Sequence, residues 1–298
     1  MSIPAAYLTV ILIWSTTPLA IQWSAQGAGF AFAVMARMAI GLALAALILV
    51  AWQQRMPMHR RARHSYLVGG LGLFGAMTLT YWGAQYIPSG LVSVLFGLSP
   101  LITGILALIW LDETALTPAK VVGMLLGFSG LAVIFGDGHE LGGPLALTGL
   151  AALLLAVLVY SATLVWIKRI GDDSPPLATT AGTLAVSLPL FGLVWWFGGG
   201  QWPETLPPRA GAAIVYLGVF GSVLGFALYY YVIKHMDTGK VSLITLVTPV
   251  LALMLGHWAN DEAITAQMWA GSVCIGLGLT LHQWPVLRIG LSRVRARA

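Results

Sequence analysis

Charge is the scarcest property of this 298-residue chain. Asp, Glu, Lys and Arg make up 8% of it, against about 25% in a soluble domain. With 58% hydrophobic residues and so little polar material, the chain cannot cover a water-facing exterior, and lipid is the solvent that removes the problem. Cysteine is nearly absent. Cys274 stands alone in an apolar run, which excludes an internal disulfide and predicts an inert buried thiol. There is no Cys/His spacing of the zinc type, no Walker loop, and no GxGxxG opening a helix after a strand. No metal site and no cofactor are therefore expected. Acids are missing from the apolar runs, since all ten Asp and Glu fall between them. That argues against proton coupling through an intramembrane carboxylate and for a facilitator or exchanger, with histidine or a loop acid as the remaining coupling routes.

What the chain has in quantity is apolar length. Runs of about 19–25 residues, each enough to span a bilayer, lie near 3–24, 29–52, 66–87, 89–111, 118–136, 145–169, 176–198, 209–234, 239–259 and 265–286. The reading is an all-α membrane protein with ten transmembrane helices. Turn residues separate the runs, among them Gln26-Gly27, Pro88-Ser89-Gly90, Ser174-Pro175-Pro176 and Pro207-Pro208. The first run starts almost at Met1 without a basic leader and is expected to stay in the membrane. With the N-terminus in the cytoplasm, thirteen Lys and Arg fall on the inner side, Arg209 alone on the outer, and only Arg37 well inside a span. This is a positive-inside pattern, and it needs an even number of spans. Both termini are then cytoplasmic. The net charge of +5 is topological, so the basic tail at 288–298 reads as an inner-leaflet anchor rather than a nucleic-acid site. Trp52, Trp110, Trp195, Trp196, Trp202, Trp258 and Trp284 fall near span ends, where tryptophan anchors in the interface.

The two halves of the chain repeat. An offset of 149 aligns Tyr81 with Tyr230, Gly90 with Gly239, Ser93 with Ser242, Pro100 with Pro249, and Asp112-Glu113 with Asp261-Glu262. After a one-residue slip, Gly123 meets Gly271 and Gly130 meets Gly278, while Trp14-Ser15 matches Tyr160-Ser161 near the start of each half. Five helices per repeat is an odd number, so the second half enters from the opposite side. The result is two inverted five-helix repeats, an arrangement with a physical route to alternating access. We place the repeats at 1–140 and 141–287, followed by the tail.

These features together resemble the drug/metabolite transporter superfamily, and within it the EamA-type members. The resemblance rests on Trp14-Ser15, on Arg37 within ARMAIGLALAALIL, and on Tyr81 to Asp112-Glu113 repeated as Tyr230 to Asp261-Glu262. It implies a carrier of amino acids, other metabolites or drugs in a bacterial inner membrane. It also implies a central cavity lined by helices 1, 3, 4, 6, 8 and 9.

Candidate site residues follow, each with its bland alternative. Tyr81 and Gln85 are one helical turn apart, and Tyr230 is the repeat partner of Tyr81. Their polar tips face either a solute or neighbouring helices. Trp14 and Tyr160 occupy matching mid-span places, suited to stacking on a planar solute or an organic cation, or to packing. Pro100 and Pro249 each remove a helix hydrogen bond near mid-span and are read as hinges, the alternative being a rigid kink. Ser99, Ser242 and Thr245 are hydroxyls on the same segments. Arg37 lies roughly 12 Å from its helix end at 1.5 Å per residue. It either pairs with a solute carboxylate or bonds hydroxyls and carbonyls at a helix break; the resemblance leans toward the second, a structural intramembrane charge. The partners expected are a small-molecule solute and membrane lipid, with no nucleic acid, in a monomer or homodimer.

Three functions compete. A carrier of a neutral or zwitterionic amino acid, aromatic ones included, suits an aromatic, hydroxyl-rich, nearly uncharged site. A nucleotide-sugar or organic-cation carrier of the same superfamily is second, and phosphates would ask for more cations than Arg37. An intramembrane enzyme would need a nucleophile–base pair or metal ligands within the spans, and the sequence offers none.

Overall fold

The structure is a computed structural model. It describes residues 2–111, 117–135, 145–236 and 238–282, without the side chains of 135, 230, 233, 234, 238–243 and 282. Among the described residues every regular element is helical. The helices are α1 (Ile3–Ala25), α2 (Phe30–Ala51), α3 (Arg60–Gly83), α4 (Ser89–Phe96), α5 (Ser99–Trp110), α6 (Pro118–Phe135), α7 (Ala146–Ile170), α8 (Pro176–Phe197) and α9 (Pro208–Tyr216). A π-helical segment (Leu217–Leu224) then leads into α10 (Gly225–His235), followed by α11 (Thr238–Asn260) and α12 (Ala266–His282). Among the described residues six stretches are long and apolar enough to cross a membrane: Ile3–Ala25, Phe30–Ala51, Ser89–Trp110, Ala146–Ile170, Pro176–Phe197 and Pro208–Tyr229. Three shorter apolar helices accompany them, at Pro118–Ile134, Ile244–Asn260 and Ala266–Leu281. Large apolar side chains point outward: Leu47, Trp196, Phe197 and Trp258 are 65–86% exposed, a surface that lipid can solvate and water cannot.

Helix ends follow local chemistry. Proline opens α8 and α9 at the Pro175-Pro176 and Pro207-Pro208 pairs, where its missing N–H has no intrahelical partner to lose. Two boundaries depart from the apolar pattern. The helix expected from 66 begins at Arg60, because the His59 Nδ1 accepts the Ala62 N–H at 3.2 Å and caps the basic first turn. It ends at Gly83 instead of near 87: Gln22 donates to the Ala84 carbonyl (3.0 Å), and the chain turns.

The chain clusters into two compact units. The first comprises Met1–Leu19, Tyr86–Leu147 and Leu228–Ala298. Its α6 and α12 pack at glycines. A Cβ added to Gly130 would lie 2.5 Å from the Gly271 carbonyl oxygen, and one added to Gly278 would lie 2.5 Å from that of Gly123. The backbones therefore touch, as small residues permit. In the same unit α4 lies against α11, and Ala6, Val10, Ile11, Val232 and Ile244 form a buried cluster. The Glu262 carboxylate accepts the Gly90 N–H (3.4 Å) at the start of α4 and is itself held by Asn260 Nδ2 at 3.0 Å. That is the helix-capping use of an acid. Asp112 and Glu113, which the repeat aligns with Asp261 and Glu262, lie outside the described residues.

The second unit comprises Ala20–Gln85 and Thr148–Ala227. Here α8 packs on both α2 and α3, and α2 packs on the π-helical segment. A Cβ added to Gly70 of α3 would come 2.5 Å from Val186 Cβ and 3.1 Å from the Thr183 carbonyl of α8. One added to Gly218 would come 2.7 Å from Ile40 Cβ and 3.1 Å from the Arg37 carbonyl of α2. The two contacts have the same form, a glycine set against residues i and i+3 of a neighbouring helix. Ala45, Leu49, Ala178, Ala181 and Val223 form a buried cluster in the same unit.

Candidate functional site

A charged cluster lies buried in the second unit. Arg37 sits two turns into α2 and is 5% exposed. Its Nε donates to Ser222 Oγ at 3.1 Å, and its Nη1 to the Tyr81 hydroxyl at 3.4 Å. The Ser222 hydroxyl in turn donates to the Leu217 carbonyl at 3.0 Å. Three segments thus converge: α2 supplies the cation, α3 a phenol 1% exposed, and the π-helical segment a hydroxyl. The segment's glycines make this possible, since a Cβ at Gly221 would stand 3.2 Å from Arg37 Nη2. A π-helical register shifts each bond to the fifth residue back and is frequent at functional sites. Arg37 forms no ion pair among the described residues.

An aromatic cluster lies in the first unit. The rings of Trp14 and Tyr229 are 4.6 Å apart at 46°, and with Tyr7, Leu228 and Tyr231 they pack against the buried cluster of Ala6, Val10, Ile11, Val232 and Ile244. Trp14 thus meets a neighbour of Tyr230; the Tyr230 side chain, like that of Ser242, lies outside the described residues. Ser15, the neighbour of Trp14, is 1% exposed and its hydroxyl has no partner among the described residues.

The remaining expected residues are placed as follows. Gln85 is exposed, and its amide donates to the Trp82 carbonyl (3.2 Å). The helical face that Tyr81 and Gln85 were expected to share is interrupted, because α3 stops at Gly83. Ser99, Tyr160 and Thr245 are half-buried. Pro100 falls in the first turn of α5, after a break at Gly97-Leu98. Pro249 lies inside the continuous α11, so the two hinge candidates are not alike. Gly97 and Pro249 face each other, a Cβ on the first falling 3.5 Å from the ring of the second. Sequence reasoning missed Ser222 and Tyr229. The signal for Ser222 was the Gly221–Gly225 spacing around it, which in a chain with 35 glycines carries little information.

Comparison with known proteins agrees with this architecture. The model of the EamA-like transporter family matches the chain twice, over residues 2–136 and 147–282. An uncharacterized transporter of Archaeoglobus fulgidus is 27% identical over 71% of this chain and 75% of its own. The probable terminal-alkyne amino-acid exporter of Streptantibioticus cattleyicolor is 26% identical over 86% of this chain and 85% of its own. The uncharacterized transporter YoaV of Bacillus subtilis is 25% identical over 94% and 96%. A crystal structure matches with a TM-score of 0.66 over 97% of this chain and 98% of its own, at 22% identity, which establishes likeness of fold.

Proposed function

The chain belongs to the EamA-like transporter family, and from that premise we propose that it is a ten-span carrier moving a neutral or zwitterionic amino acid across a bacterial inner membrane by alternating access. That it is an integral membrane transporter, and not an enzyme, follows from the family and from its apolar helices. The amino-acid class is the finer reading. It is supported by the aromatic and hydroxyl character of the residues described and by the relative named as an amino-acid exporter.

One observation carries the mechanism: paired contacts that map onto each other under the internal repeat. Gly123 corresponds to Gly271 and Gly130 to Gly278, so the Gly130–Gly271 contact is the image of the Gly278–Gly123 contact. In the other unit, Arg37 and Ile40 correspond to Thr183 and Val186 at an offset of 146, and Gly70 to Gly218 at 148. The Gly70 contact with Thr183 and Val186 is then the image of the Gly218 contact with Arg37 and Ile40. Such pairs are what two inverted five-helix repeats at 1–140 and 141–287 require. A carrier built of inverted halves has two nearly equivalent conformations, one open to each side. Tyr81 and Tyr230 lie on corresponding helices, as do Ser99 and Thr248, and we assign these segments to the solute path together with Trp14, Tyr160, Ser242 and Thr245. Pro100 and Pro249 are its hinge positions, and Arg37 holds the π-helical segment to α2 through Ser222.

Uptake and counterflow in proteoliposomes test the reading. A panel of aromatic, aliphatic and acidic amino acids, organic cations and nucleotide sugars is offered to the reconstituted protein. Accelerated exchange of labelled aromatic or aliphatic amino acids is expected. Exchange confined to organic cations or nucleotide sugars would replace the amino-acid assignment and leave the carrier.

A further inference from the structure

Arg37 holds a charge that nothing described in the protein balances. A guanidinium has five N–H donors, of which Nε and Nη1 each spend one on a hydroxyl. The remaining three have no acceptor among the described residues. The Tyr81 hydroxyl accepts from Arg37 at 3.4 Å, and its own O–H also finds no acceptor there. Both side chains are more than nine-tenths buried, and an unmet donor at such a place is costly. A guanidinium keeps its charge under these conditions, and taking a cation out of water is costly unless an anion accompanies it. By contrast, the third member is satisfied: Ser222 accepts from Arg37 and donates to the Leu217 carbonyl. The cluster is therefore one-sided, with convergent donors, one positive charge, and no acceptor left for them.

We propose that Arg37 and Tyr81 form the carboxylate-binding point of the solute path, with the Ser222 hydroxyl on Nε fixing the orientation of the guanidinium. The planar fork of an arginine matches the two oxygens of a carboxylate, and the Tyr81 O–H supplies a further donor beside it. One guanidinium balances one negative group, so the ligand carries a single carboxylate and is not a di- or triphosphate. This inference rests on the carrier reading above. It adds that the solute is held by its acid group within the second unit.

Matched probes separate the two ideas. The purified full-length protein is titrated, by thermal shift and intrinsic fluorescence, with L-phenylalanine, 3-phenylpropionate and phenylethylamine, and separately with propionate and propylamine. The carboxylates are expected to bind at least about 10-fold more tightly than the amines, since hydrogen bonds to charged groups are worth that much. Arg37→Gln should weaken the carboxylates by about 10- to 150-fold and leave the amines where they were. Tyr81→Phe should weaken the carboxylates by about 2- to 13-fold. Arg37→Lys keeps the charge but loses the fork, and should fall between wild type and Arg37→Gln. The readout is a ratio of carboxylate to amine within each sample, and the wild-type ratio needs no variant, so a poorly folded mutant cannot imitate the result. Amines binding wild type as tightly as carboxylates, or a folded Arg37→Gln with the wild-type ratio, overturns the proposal. If amino-acid counterflow persists in that case, the carrier reading stands without it. Carboxylate binding that needs Arg37, with no amino-acid counterflow, upholds the site and removes the amino-acid assignment. No binding by any carboxylate removes the site.

Discussion

Ser222 joins two problems that neither partner solves alone. Arg37 needs an acceptor in an apolar helix, and a π-helical segment needs something to hold its register. One hydroxyl serves both, accepting from Nε at 3.1 Å and donating to the Leu217 carbonyl at 3.0 Å. Ser222→Ala deletes both bonds and leaves a buried charged donor without an acceptor. Charge-assisted hydrogen bonds contribute about 1.5–3 kcal/mol in soluble proteins, but interhelical bonds in membranes average about 0.6 kcal/mol. A loss of about 1–2 kcal/mol is therefore expected, between the two scales. Unfolding of the detergent-solubilised protein measures it, and an unchanged midpoint would mean the bond holds nothing in place. The sequence marked Arg37 as an isolated intramembrane charge and left two uses open. It could not supply Ser222, which stands 185 residues away, because no period or spacing links a residue to a partner on so distant a helix. Trp14 was legible as a mid-span aromatic, yet its ring contact is with Tyr229. Adjacent helical positions point about 100° apart, so repeat alignment identifies a helix more surely than the side chain that faces a given neighbour.

At the scale of the element, glycines decide how closely helices approach, and α12 contains an internal control. Gly278 and Gly276 stand two residues apart on it. A Cβ on Gly278 would lie 2.5 Å from the Gly123 carbonyl, whereas one on Gly276 meets nothing within 4 Å. Gly278→Ala should force α6 and α12 apart and destabilise by about 1–3 kcal/mol, the usual range for overpacking. Gly276→Ala should be neutral or stabilising by up to about 1 kcal/mol through helix propensity. Thermal stability of the two variants, compared side by side, checks this; equal midpoints would refute the close packing of α6 on α12. Apolar length made most helices legible, because a membrane span is set by bilayer thickness and little else. Breaks were less legible. Pro100 lacks the N–H that would meet the Phe96 carbonyl, and the interruption at Gly97-Leu98 falls there, whereas Pro249 produces no break in α11. The π-helical segment was illegible for a related reason. Its register depends on glycines set against α2, so the interaction that selects it lies outside the segment.

For the whole molecule the sharpest statement available is topological, because charge in this chain is rare enough that its placement carries information. The exposed start of α3 holds Arg60, Arg61 and Arg63, with Arg55 just before it and Lys168 and Arg169 exposed at the end of α7. His59 and Asp172, 3.5 Å apart, tie these two ends together in the second unit. The loop between α8 and α9, at 199–207, has one acid, Glu204, and no Lys or Arg; Arg209 follows it, its guanidinium 3.7 Å over the Trp23 ring. Basic residues are retained on the cytoplasmic side during insertion, so the α3 start is expected inside and the 199–207 loop outside. A cysteine placed at Arg60 or at Glu204, both exposed, distinguishes the arrangements once Cys274→Ala has removed the native thiol. In intact cells a membrane-impermeant maleimide should label the Glu204 position and spare the Arg60 position until the membrane is opened. The reverse pattern would invert the protein. Labelling of both from outside would break the helix count between them: α3, α7 and α8 lie between the two sites along with every helix from α4 to α6. It would thereby remove the ten-span arrangement on which two inverted repeats, and alternating access through them, depend.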